Sequence, residues 1–210
     1  MASHLTNFEI YDLINRPKPL WLVKLNLSEV TLWNADLSHS NLSQADFTRA
    51  DLSWSMFIGS NMFKVILNYT NLYESYLSKA NLTEASMNRA NLTRAILDKA
   101  ILTQANLVEA NLNRAVCSRA IFNKANLHAA NLTRVDMNKT DLIGANLNAA
   151  NLAYANLFEA NLSNADLRMA NLEKADLTGA NLANANISGA NLDGADMTET
   201  VMPDGRKYIS

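Results

Sequence analysis

The side chains able to perform chemistry are few, and their spacing limits what they could do. Three histidines and one cysteine occur in 210 residues, at His4, His39, His128 and Cys117. A zinc centre needs three or four such ligands held together, and a reactive thiol needs exposure beside a cation. No Gly-rich phosphate loop, nucleophile elbow or paired Cys/His spacing is present. Carboxylates are more numerous, with 20 Asp and Glu against 18 Lys and Arg. They recur at one fixed offset, which marks a repeat rather than an acid–base pair. No catalytic residue, cofactor or metal ligand is therefore assigned, and the chain is not expected to be an enzyme. A lone cysteine excludes an internal disulfide framework. No apolar run approaches the roughly 20 residues of a membrane helix.

The elements that must position any site come from a period of five. From about Leu20 to Met202 the chain runs in blocks of five without an insertion or deletion. The 35 positions ending in 2 or 7, from Leu32 to Met202, are all apolar, and 25 of them are Leu. These are the centre positions. Two residues earlier, from Val30 to Thr200, 25 of 35 are Ala and the rest are Ser, Thr or Val; these are the small positions. Most blocks carry Asn or Asp between the two, and two mostly polar residues follow the centre.

A period of five matches neither 3.6 nor 2, so the chain must turn in every block. Small and centre residues face inward as alternate strand residues do, and the next two form a corner. Repeated corners wind the chain into coils stacked at about 4.8 Å. Four sides predict that a residue resembles the one twenty positions on. Met56, Tyr76, Ile96 and Val116 replace the usual Asn or Asp at that step, and Ile101 is followed by Ile121. Corner residues Lys79, Lys99, Arg119 and Lys139 repeat it, as do Arg94, Arg114 and Arg134.

Blocks such as Ala90-Asn91-Leu92-Thr93-Arg94 and Ala145-Asn146-Leu147-Asn148-Ala149 resemble those of pentapeptide-repeat proteins. The resemblance implies an all-β solenoid, a right-handed quadrilateral β-helix of about nine coils. It divides the chain into an amino-terminal capping segment (1–19), the β-helix (20–202) and a tail (203–210). The ending Met202-Pro203-Asp204-Gly205 is similar to that of some cyanobacterial members, including regulators of heterocyst development.

Open solenoid ends expose core and strand edges. Leu5, Phe8, Tyr11 and Ile14 give an apolar stripe near helical spacing, with Thr6 or Asn7 as cap and Pro17 and Pro19 as terminators. This predicts a short capping helix over residues 6–14. At the other end Tyr208 and Ile209 fold over the last coil, or the coil stacks on another molecule; a monomer or weak end-to-end dimer is expected. The oversized or polar small-position residues Val65, Val135 and Thr140 predict slight local bulging. Cys117 sits at a centre position and reads as a small buried hydrophobe. Residues 1–20 lack the basic flank and apolar segment of a secretory signal, which points to the cytoplasm.

Variation survives on the surface. Net charge is −2 over residues 1–78, +5 over 79–139 and −5 over 140–210. Arg94, Arg114 and Arg134 climb one corner, and Lys79, Lys99, Arg119 and Lys139 climb the next. Tyr76, Ile96 and Val116 lie between them, while Ile101 and Ile121 flank the lysine column. Trp54 and Tyr73 stand nearby. Apolar side chains beside cations suit a protein-binding patch. The alternative is an ordinary solvated sheet face, where β-branched residues are at home and salt screens the charges.

The expected function is a non-enzymatic interaction module that modulates or shields a regulatory protein through this basic and apolar face. The family resemblance also implies an alternative, a DNA-mimicking inhibitor or protector of a type II topoisomerase. Such a mimic needs acidic columns. Direct nucleic-acid binding is opposed by the acidic far end, and no membrane partner is expected.

Overall fold

The architecture is taken from a computed structural model that describes residues 7 to 208. From Trp21 to Val201 each Asn/Asp position makes a parallel bridge to the residue twenty places on: Asn71 to Asn91, Asn91 to Asn111, and so along the chain. Every coil contributes four such positions, so twenty residues complete one four-sided turn.

The five backbone N–H groups of one block account for this shape. Asn91 N–H donates backward to Thr70 O at 2.9 Å, while Leu92 N–H donates forward to Asn111 O at 2.7 Å. Arg94 N–H also donates forward, to Asn113 O at 3.0 Å, and Ala95 N–H closes the corner on Leu92 O at 3.0 Å. The remaining donor, Thr93 N–H, is met by Asn91 Oδ1 at 3.2 Å. This is why Asn or Asp precedes the centre residue: its side chain caps the corner that follows. The Asn side chains also bond along the column, as Asn91 Nδ2 does to Asn71 Oδ1 at 2.9 Å.

Each corner turns through a left-handed second residue, with φ of 60° at Arg94, 57° at Lys99 and 58° at Arg114. A positive φ at that place alone is the signature of a type II turn. Among the described residues, thirty-one non-glycine residues adopt it, all at positions ending in 4 or 9, and none is β-branched or proline. Such a conformation costs a non-glycine residue about 1 kcal/mol. The forward hydrogen bond from the corner N–H, repeated at every rung, holds it in place.

Inside, the centre ladder is fully buried from Leu37 to Leu182, with Phe47, Phe57 and Phe122 its largest side chains. Small-ladder hydroxyls find carbonyl partners, as Thr70 Oγ1 does on Phe47 O at 2.7 Å and Thr140 Oγ1 on Cys117 O at 2.9 Å. The coil absorbs Val65 and Val135 without loosening: the following bridge residues, Ile66 and Asp136, keep backward hydrogen bonds of 2.9 Å. Cys117 is wholly buried, and burial, with Asp136 adding to it, pushes its thiol pKa up. Two results follow. Native protein resists a thiol reagent at pH 8, whereas denatured protein takes up one equivalent, which a titration with and without denaturant would show. Because the folded state keeps the proton that the unfolded thiol loses above about pH 8.5, this group erodes stability as pH rises through that value.

Helix α1 spans Asn7–Ile14. Of the expected stripe, Ile14 packs inward and Tyr11 does not. Ile10 is 5% exposed and Leu13 and Ile14 pack on the core, whereas Tyr11 is 67% exposed. Spacings of three and four put Ile10, Leu13 and Ile14 on one face, and Tyr11 falls outside it. Leu5, Thr6 and His4 lie outside the described residues. The tail reaches the last coil without covering it. It turns at Pro203–Gly205, Lys207 pairs antiparallel with Val201, and Tyr208 N–H donates to Thr200 O at 2.7 Å. It thus lines one side of the final coil and leaves Ile187, Leu192 and Met197 partly exposed. Ile209 lies outside the described residues.

Candidate protein-binding face

The bridges place Met56, Tyr76, Ile96 and Val116 on successive rungs of one face, followed by Asp136. Their backbone groups are satisfied like any others: Ile96 N–H donates to Ser75 O at 2.9 Å and Ile96 O accepts from Leu77 N–H at 2.7 Å. The side chains are what differ. Tyr76 is 42% exposed, and Ile96 and Val116 are half-buried. Replacing Asn or Asp here removes the corner cap. Among the described residues, no acceptor meets the N–H of Ser78, Asp98 or Ser118. Each lost cap forgoes about 1 kcal/mol that a neighbouring column retains. Ile101 and Ile121 bridge each other on the adjoining face, beyond the lysine column.

The corners on either side carry the cations. Lys79, Lys99, Arg119 and Lys139 follow one another up one edge, and Arg94, Arg114 and Arg134 up the other, all on exposed left-handed corners. Nowhere else among the described residues do two cations occupy successive rungs of one corner. The other two corners separate their cations with neutral or acidic residues, as in the stacked pairs Lys64–Glu84 at 3.1 Å and Arg89–Glu109 at 2.7 Å.

The seven cations are not equivalent. Arg94 meets Glu74 at 3.1 Å, Lys99 meets Asp98 at 3.8 Å, and Lys139 meets Glu159 at 3.3 Å. Arg134 lies over the Tyr154 ring at 5.5 Å. Among the described residues, Lys79, Arg114 and Arg119 make no ion pair. A hydrogen bond to Tyr73 and the adjacent Glu74 carboxylate raise the Arg94 pKa, while hydrogen bonds from Tyr73 and Trp54, with Arg94, lower that of Glu74.

Aromatic residues gather at the amino end of this face. Trp54 and Tyr73 meet edge to face at 5.7 Å, and Trp54 Nε1 donates to Glu74 Oε2 at 3.1 Å. Trp33, one rung below, is 59% exposed and was not among the sequence candidates. It joins Asn34, Trp54 and Tyr76 around a cleft of about 310 Å³. Its sequence signal was the near-twenty spacing of Trp33 and Trp54, one residue off register. Among the described residues there is no group of three or more His, Cys, Asp or Glu able to hold a metal, and no helix long and apolar enough to cross a membrane.

A family model described as pentapeptide repeats matches residues 26–62, 70–107, 100–138, 130–168 and 160–199. HetL of the cyanobacterium Nostoc sp. strain PCC 7120, a pentapeptide repeat protein involved in heterocyst differentiation regulation, is 31% identical over 98% of this chain and 100% of its own, with a TM-score of 0.36. The Nostoc PCC 7120 pentapeptide repeat protein alr5209 is 51% identical over 38% of this chain and 64% of its own, with a TM-score of 0.36. QnrB1, a plasmid-mediated fluoroquinolone resistance protein, is 17% identical over 84% of this chain and 89% of its own, and its TM-score of 0.65 shows a common fold. No curated protein matches the chain. A five-residue register, a twenty-residue coil and a repeat model spanning most of the length all agree: this chain belongs to the pentapeptide-repeat family, whose fold is the right-handed quadrilateral β-helix.

Proposed function

We propose that the protein is a non-enzymatic interaction module of the cytoplasm that binds a regulatory protein through the face centred on Ile96 and acts by occupancy, modulating or shielding that partner. In this reading residues 1–19 cap the amino end, residues 20–202 are the rigid rod and residues 203–210 are a tail. One observation carries it: the chain stacks like charges on both corners of a face where three successive rungs, Tyr76, Ile96 and Val116, also give up the corner cap. Both choices oppose stability locally, by cation repulsion and by lost hydrogen bonds, and a docking partner offsets both. An indifferent solvated face would keep Asn or Asp up its column, as from Asp51 to Asn191, and would separate its cations with neutral or acidic residues, as the other two corners do.

The test is a comparison of wild type with an Ile96→Asn, Lys99→Glu, Arg114→Glu variant as bait in native host extract. A protein held by wild type should be retained at least about tenfold less by the variant, with unchanged circular dichroism. Equal retention would remove the face from consideration. A duplex mimic aimed at a type II topoisomerase would require carboxylates where Arg114 and Arg119 stand.

A further inference from the structure

We propose that the segment this face receives is an acidic amphipathic α-helix of the partner, lying along the rod axis. The inference rests on the face being a protein-binding surface and adds what must fill it. The apolar column from Met56 to Val116 rises three rungs, roughly 14 Å at sheet spacing. Three helical turns rise about 16 Å, so an apolar stripe at i, i+3 or i+4, and i+7 meets nearly one side chain per rung. The width agrees. About three extended residues separate the two corners, roughly 10 Å, which is about the diameter of a helix.

Charge decides the sign of the partner's flanks. Lys79, Arg114 and Arg119 are exposed, and they bracket the column from both sides without ion pairs among the described residues. A helix bearing Glu or Asp on either side of its apolar stripe reaches both rails at once. At the amino end of the column Trp33, Trp54 and Tyr76 line an open depression, against which one large apolar side chain of the partner packs. Trp, Tyr and Arg are the residue types on which binding energy concentrates.

The probe is a synthetic 18-residue helix with leucines at i, i+3 or i+4, and i+7 flanked by glutamates, titrated into the full chain and followed by calorimetry and tryptophan emission. Two companions are titrated beside it, one with lysine for glutamate and one with two central prolines. Binding of the glutamate helix at about 10–100 μM is expected, with affinity at least about tenfold weaker for the proline form and none for the lysine form. Arg114→Glu with Arg119→Glu should reverse the preference, so that the lysine helix binds and the glutamate helix does not. Circular dichroism unchanged from wild type separates that gain of binding from misfolding. Equal binding of the proline form would overturn the helix while leaving the face as a docking surface. Glutamate-helix binding indifferent to the charge reversal would remove both. Failure of every peptide to bind at about 1 mM would overturn the helix inference.

Discussion

Lys99→Pro is expected to cost at least about 3 kcal/mol and to melt the central coils, whereas Lys99→Gly is expected to leave stability unchanged or raise it by up to about 1 kcal/mol. The contrast comes from one backbone angle. Lys99 has φ of 57°, and its N–H donates to Ser118 O at 3.0 Å. Proline fixes φ near −65° and carries no N–H, so it breaks the corner and the rung together. Glycine reaches the same φ without a Cβ penalty. The chain itself makes this choice at Gly59, Gly144 and Gly179, with φ of 62°, 64° and 67°. Thermal and urea unfolding of both variants would show it; a Lys99→Pro protein as stable as wild type would mean that the corner is not left-handed. Since each coil touches only its neighbours, the loss should appear as local exchange of amides around residues 77–121 before global melting.

Leu102→Asp is expected to be comparably severe, above about 4 kcal/mol, while Leu102→Met costs less than about 1.5 kcal/mol. Leu102 is wholly buried, as is Ala105 at the small position that follows it. A carboxyl group placed there finds Leu82 and Phe122 one rung to either side. It must shed its charge or remain uncompensated. Met is accepted because the same ladder already buries Met62, Met87 and Met137 completely. Soluble expression and denaturant midpoints of the two variants would check this. A folded Leu102→Asp protein with near-wild-type midpoint would show that the interior admits water.

Much of this architecture was legible before any coordinates. Leu, Met, Phe and Cys117 at positions ending in 2 or 7 face inward because burial tolerates any apolar side chain of suitable volume but no charge. The step of twenty was visible because exceptions such as Tyr76, Ile96 and Val116 recur at the coil length. The left-handed corners were equally present as a signal, in the absence of Val, Ile, Thr and Pro from positions ending in 4 or 9 between Lys24 and Glu199, but a rule of avoidance is harder to see than a repeated leucine. Tyr11 shows the opposite case. It fits an apolar stripe by spacing, yet helix α1 turns Ile10 inward, and that orientation is set by the coil it packs on rather than by the helix.

The sequence by itself determined which residues line the interior, how many residues close a coil and which exceptions stand above one another. All of these follow from a uniform repeat whose neighbours differ by a constant offset. Tertiary structure alone decided which cations are spent and which are available. Arg94 is neutralised by Glu74 and Lys139 by Glu159, while Arg114 and Arg119 are left without such a partner among the described residues. It also brought Trp33 beside Trp54 and Tyr76 around one cleft. Register brings two side chains to adjoining rungs, but an ion pair forms only when their rotamers carry the charged ends within about 4 Å, and those rotamers answer to contacts across coils that no five-residue block contains.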